Sequence, residues 1–311
     1  MFEQFGLRVF SATVDAFESD QQSAFCHVSG SWQGQTTSAT QCIGTTSYPQ
    51  CLLPESLSSI RRGDAFAVLG FYRLSMANLS TIRENLQIVR HKIEAAARRA
   101  SRKPEEILLI GVSKTHPAVA IREAYDAGLR HFGENRVQEW EGKLAEVADL
   151  QATWHLIGHL QSNKAARAAK AFHSVDSVDD WALAQRLDRS QAEKGTGEKL
   201  RVLIEVHMGG EEAKSGISEE ALPELAERVL TLPHLDFAGL MCIPPFRENP
   251  EEVRPFFETL RKLKEELEPR LGTTLPTLSM GMSHDFEAAI LEGSTEVRVG
   301  TAIFGIRPKN P

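Results

Sequence analysis

From Met76 onward the apolar positions of the chain switch between two periods. Ile82, Leu86, Val89 and Ile93 recur at helical spacing, and Thr81 and Glu84 stand three apart just before them, as in a capping box. Strand-like runs then begin near Ile107, Leu129, Thr153, His173, Leu200, Leu235, Leu275 and Glu296. Helical patterns separate them, over residues 117–127, 163–172, 179–194, 218–230, 250–271 and 284–291. Several strands are continuous apolar runs, which suits a parallel sheet covered on both faces. Eight strand–helix units in roughly 200 residues predict a (β/α)8 TIM barrel, near the lower size limit of that fold. A doubly wound open sheet is the runner-up. Its first turn would carry a glycine-rich fingerprint, and the sequence GVSKTHP after the first strand does not.

Residues 1–75 follow neither period. They are rich in Ser, Thr, Gln and Gly with scattered charges, and their short apolar pieces assemble into no face. The predicted organisation is an irregular, poorly ordered extension over 1–75 and one barrel domain over 76–311, with Met76 a candidate translation start. The alternative is a metal-binding or regulatory arm using Cys26, Cys42 and Cys51. No close Cys/His pairing supports it.

Composition narrows the partners. The 311 residues are 41% hydrophobic and 25% charged with a net charge of −7, so neither nucleic acid nor an anionic membrane surface is invited. No apolar run approaches the roughly 20 residues of a membrane helix. The first twenty residues are acidic and carry no signal-peptide pattern. Four cysteines make no disulfide framework, so a reducing cytoplasm is the expected compartment.

Candidate chemistry gathers at the expected strand ends. The segment TLSMGMSHDFEAAILEGSTEVRVGTAIFG, Thr277 to Gly305, reads strand, small-residue turn, helix, strand. Ser279, Gly281, Ser283 and the backbone at Gly300 can cradle a phosphate, since small residues let N–H groups approach an anion. Phosphate in such barrels is held after strands seven and eight. Lys114 follows the first strand, where partial desolvation would lower its pKa and favour an imine. A phosphate cup and a lysine at strand ends suggest pyridoxal phosphate (PLP) held as a Schiff base. Arg298 only donates and stays charged, so near the ring nitrogen it would keep that nitrogen unprotonated and weaken the electron sink. His155, His159 and His207 invite a zinc reading, but no carboxylate or cysteine stands at ligand spacing, so no metal is expected.

The pieces LLIGVSKTHP, HFGENRVQE, WHLIGHLQSNK, EEAKSGI, GLMCIPP, LSMGMSHDFEAAI and VRVGTAIFG run in order through residues 77–307. Together they resemble the pyridoxal-phosphate homeostasis proteins. The resemblance implies a fold-type III barrel like the N-terminal domain of alanine racemase, with PLP as an imine on Lys114. It implies Asn135 approaching the cofactor, Ser279, Gly300 and Thr301 holding phosphate, and Arg298 facing the pyridine nitrogen. Met280 to Ser283 would shape the turn, Ser283 as a second phosphate donor, and Lys214 would make a secondary contact. His207 stands where an asparagine is expected, and residues 1–75 lie outside the pattern.

A PLP racemase needs a second acid or base opposite its lysine, commonly a tyrosine. Here Tyr48 and Tyr72 lie in the extension, Tyr125 lies in the first helix of the barrel, and six residues follow Gly305, too few for a closing β-domain. The reading is therefore a non-catalytic carrier that stores, buffers or delivers PLP, expected to be a monomer with PLP-dependent apoenzymes as recipients. The alternatives are a weak amino-acid racemase using His159 or His207, and a Schiff-base aldolase or other phosphate-binding barrel that needs no PLP.

Overall fold

The computed structural model describes residues 81–209 and 215–306 in full, and three strands of the preceding segment as backbone. The chain divides into two units, Met1–Met76 and Ala77–Pro311. In the first, Phe17–Glu18, Ser23–Trp32 and Gln35–Gly44 form an antiparallel sheet in that order. Ten consecutive pairs, from Ser23↔Gly44 to Trp32↔Gln35, join its two long strands. Their Ser- and Thr-rich sequences carry only a weak alternation of small apolar residues, Ala24, Cys26 and Val28, which is why the hydrophobic pattern is faint there.

The second unit begins with helix α1, Ile82–Arg99. Thr81 caps it: its Oγ accepts the Glu84 N–H, and the Glu84 carboxylate accepts the Thr81 N–H at 2.9 Å. Leu86, Val89 and Ile93 are buried as their spacing predicts, with Ile82 packed at the edge of the same core. Full burial of each such side chain stabilises by about 1.5–3 kcal/mol.

Eight parallel strands close into a barrel: β1 Leu108–Val112, β2 His131–Glu134, β3 Thr153–Leu156, β4 Ser174–Val178, β5 Leu200–Val206, β6 Leu235–Cys242, β7 Thr277–Ser279 and β8 Glu296–Val299. Closure sets β8 beside β1, with Glu296 opposite Leu108 and Val299 opposite Gly111. The connecting helices are α2 Ala118–Asp126, α3 Val137–Val147, α4 Ala165–Ala171, α5 Trp181–Ala192, α6 Leu222–Leu230, α7 Arg254–Leu271, α8 Phe286–Leu291 and the short α9 Thr301–Phe304. The expected (β/α)8 architecture is therefore the observed one.

Strand two starts two residues later than its apolar run. Leu129 closes the preceding helix instead: its N–H bonds to the Ala124 carbonyl across Gly128, whose φ of 91° is left-handed. The outward strand residues, among them Phe132, Trp154, Val175, Val202, Leu240 and Val297, join the helices in one core. Trp140 of α3 packs its ring 6.0 Å from Trp154 and 5.3 Å from Phe172. Inside the barrel, Leu203, Ala238 and Met241 form a separate small apolar layer. Polar side chains lie on both sides of it.

Candidate functional site

The mouth of the barrel is built where β1, β7 and β8 end. Gly300, just after β8, lies against the end of β1: a Cβ placed on it would come 3.4 Å from both Cβ and the carbonyl of Val112. Lys114, half-buried, follows two residues later. The turn after β7 must be glycine at 281. Its φ is 96°, and a Cβ there would sit 2.6 Å from the Ala289 Cβ and 2.8 Å from the Phe286 Cα. That tight turn delivers Ser283, whose Oγ accepts the backbone N–H groups of Gly300 at 3.1 Å and Ala302 at 3.3 Å. Two amides converging on one oxygen are the arrangement that a phosphate oxygen also satisfies. Thr301 is exposed beside them.

Arg298 lies deeper, 3% exposed. It donates to Ser279 Oγ at 2.7 Å and to the Cys242 carbonyl at 2.8 Å, both neutral acceptors. Its guanidinium stays charged and acts on the nearby Glu205 and Asp285 carboxyls. Glu205, at the end of β5, is 3% exposed and accepts the Ser215 hydroxyl at 2.6 Å. Burial pushes its carboxyl up, only partly offset by that hydrogen bond and by Arg298. Burial likewise pushes the Cys242 thiol up to about 12, so it is no nucleophile.

The expected site residues separate into two groups. Ser283, Gly300 and Thr301 meet where the turns after β7 and β8 touch, whereas Ser279 is paired with Arg298 and fully buried. Met280 faces the core between sheet and helices, its N–H bonded to the Glu296 carbonyl and its own carbonyl accepting Ser294 Oγ. It anchors the turn from behind. Asn135 follows β2 and is crossed by Gly158, where any Cβ would lie 2.5 Å from the Asn135 carbonyl oxygen. His207 is half-buried, its N–H bonded to the Ile217 carbonyl. Lys214 lies outside the described residues.

Spacing along the chain named some further residues without their partners. His159 Nδ1 lies 3.2 Å from Asp179 at the mouth. At the opposite end, His155, Asp176 and Glu296 offer ligand atoms within 4.8 Å of one another, a grouping with no counterpart in sequence spacing. Arg201 enters that cluster, 2.9 Å from Glu296 and 3.5 Å from Asp176, so a cation is already in place. Tyr125 is covered by the Arg130 guanidinium at 3.9 Å.

A half-buried lysine, amides meeting on one oxygen and a charged arginine fit a phosphorylated aldehyde with a ring nitrogen. The family model for the alanine racemase N-terminal domain matches residues 79–308. Pyridoxal phosphate homeostasis proteins of Aquifex aeolicus and Pseudomonas aeruginosa are 46% and 49% identical to the chain over 224 and 229 residues. The matches cover 72% and 74% of this chain and 97% of each relative. The chain belongs to the pyridoxal phosphate homeostasis protein family. A solved member, PipY of Synechococcus elongatus with PLP bound, is 42% identical with a TM-score of 0.65, covering 72% of this chain and all of that one. The family model thus spans the barrel and leaves the whole of the first unit outside it. No helix among the described residues is long and apolar enough to cross a membrane.

Proposed function

We propose that this protein is a non-catalytic carrier of pyridoxal 5'-phosphate that holds the cofactor as a Schiff base on Lys114 and stores, buffers or delivers it. The observation that carries this reading is the contact between Gly300 and the end of β1, which brings the two amides meeting on Ser283 Oγ close to the lysine turn. Ser283, Gly300 and Thr301 would take the phosphate, and Asn135 a flank of the ring. Arg298, positioned by Ser279, would take the ring nitrogen, with Met280 bracing the turn. When bound, PLP supplies an electrophilic aldehyde, and the arginine keeps its ring a weak electron sink. The names of the relatives and the PLP bound to PipY support the same reading. We place the activity in the cytoplasm, in a monomer that serves PLP-dependent apoenzymes.

A second reading, a weak amino-acid racemase, is favoured by one feature: Asp179 orients His159, which is the geometry of a general base. Absorbance of the purified protein with PLP, before and after borohydride and followed by peptide mapping, tests the first reading. A band near roughly 420 nm trapped on Lys114 supports it; no adduct there removes it. Turnover of an amino acid by the loaded protein, lost in His159→Ala, would replace the carrier with the racemase.

A further inference from the structure

Lys114 sits in a turn whose two flanking peptides are held from outside the barrel. Gly111 faces the helix layer, since a Cβ there would meet Leu129 and Phe304. Strand alternation therefore puts residues 110 and 112 on the inner side, and Ser113, just past the strand, bonds Glu134 on the outer side. Ser113 is fully buried. Its Oγ donates to Glu134 Oε1 at 2.6 Å, and its carbonyl accepts Lys143 Nζ at 3.0 Å. Lys143 also donates to both oxygens of Glu134, at 3.0 and 3.3 Å, and to Glu139 Oε1 at 3.2 Å. The same Glu139 oxygen accepts the N–H of Thr115.

Thr115 is held at a φ of 65°. For a β-branched residue this left-handed conformation costs about 1–3 kcal/mol and persists only where neighbours enforce it. Glu134 ends β2, while Glu139 and Lys143 stand one turn apart on α3. Both peptides beside Lys114 are thus bonded to one charged cluster. Burial pushes the Glu134 carboxyl up while Lys143 and Ser113 pull it back.

We propose that Ser113, Glu134, Glu139 and Lys143 are positioning residues for the Lys114 amine, locking the 113–116 turn so that the lysine meets the cofactor aldehyde in a single geometry. The inference rests on the Schiff-base reading above. A cluster that only pinned α3 to the barrel would affect stability and leave imine formation unchanged. A positioning cluster changes the rate of imine formation in molecules that are fully folded, because misplacing a reacting group by about 1 Å can cost as much as 100-fold.

The test uses the full chain, stripped of cofactor. Borohydride-trapped adduct on Lys114 is followed against time after adding PLP, across pH, with melting measured in parallel. Lys143→Met is expected to slow trapping about tenfold or more in the folded protein, and Lys143→Arg to recover most of the rate. Glu139→Gln, on a carboxylate 25% exposed and so the safer variant to fold, is expected to slow it in the same direction. A wild-type chain with no adduct on Lys114 overturns the Schiff-base reading itself. A wild-type chain that traps, beside folded Lys143→Met or Glu139→Gln chains that trap at the same rate with the same pH profile, overturns the positioning role alone.

Discussion

Two arginines occupy the inside of the barrel, and their surroundings differ in kind. Arg201 stands second in β5 at the floor, where Glu296 at 2.9 Å and Asp176 at 3.5 Å face it, with Ser174 and Thr277 accepting further hydrogen bonds from it. His155 extends that network from Asp176 to His131. Arg298 stands two residues beyond Glu296 on β8 and donates to the neutral oxygens of Ser279 and Cys242, with the buried Glu205 carboxyl nearby. Thr277 and Ser279 are likewise two apart on β7. The same two strands thus present first a layer in which one arginine is ion-paired to two carboxylates, then one in which the arginine bonds neutral oxygens. The floor pairs hold the barrel together; on the reading proposed above, the mouth arginine recognises the cofactor.

The sharpest break between the layers is expected at Arg201. Arg201→Met leaves Asp176 and Glu296 buried without their cation and should cost about 3–5 kcal/mol in urea unfolding. Affinity of the folded fraction for PLP should stay within about twofold, because the Arg201 side chain bonds Ser174, Asp176, Thr277 and Glu296 and none of the residues proposed to hold the cofactor. Arg298→Met should show the reverse, with the PLP dissociation constant rising about tenfold or more, the worth of a hydrogen bond to a charged donor, and a smaller loss of stability. Equal unfolding losses in the two variants would show that the layers are not distinct.

A smaller effect should appear with pH. Burial, helped by the neighbouring His155 and Arg201, lowers His131 to about 4. Between about 6.5 and 4 the unfolded chain therefore binds the proton more readily, and stability falls as pH falls through that window. His131→Asn should flatten this part of the melting-temperature profile, and an unchanged slope would assign it to another group. The smallest effect is expected from removing residues 1–75, which we propose to be an extension that the site does not need. Melting of the remaining chain should move by no more than roughly 2 °C, as for a unit with its own core.

Much of the barrel was legible because its signals are local. Thr81 and Glu84 announce the start of α1, and the 82, 86, 89, 93 spacing announces its buried face. Lys114 was legible because a lysine directly after an apolar strand lands on the rim of any such barrel. The helix Val137–Val147 was not singled out in advance, yet it supplies Glu139 and Lys143, which grip the lysine turn. Met280 is expected at the cofactor with Ser279 and Ser283 but faces the core, as a position next to the inward Ser279 does in a strand-like run. The pairing of Ser279 with Arg298 instead of with the phosphate turn could be seen only once β7 and β8 lay side by side.

The sequence alone determined the periods, and with them the helices, the parallel strands and the end of the barrel at which chemistry collects. Those depend on neighbours a few residues apart. Only the closed barrel decided which charges meet. His155, Asp176 and Glu296 are separated by up to 141 positions (296 − 155) and touch because β8 returns to β1 and the strands face a common axis. Ring closure also sets Gly300 against Val112 and so brings the turn after β8 beside the lysine turn. Such contacts depend on register around the barrel, which spacing along the chain does not encode.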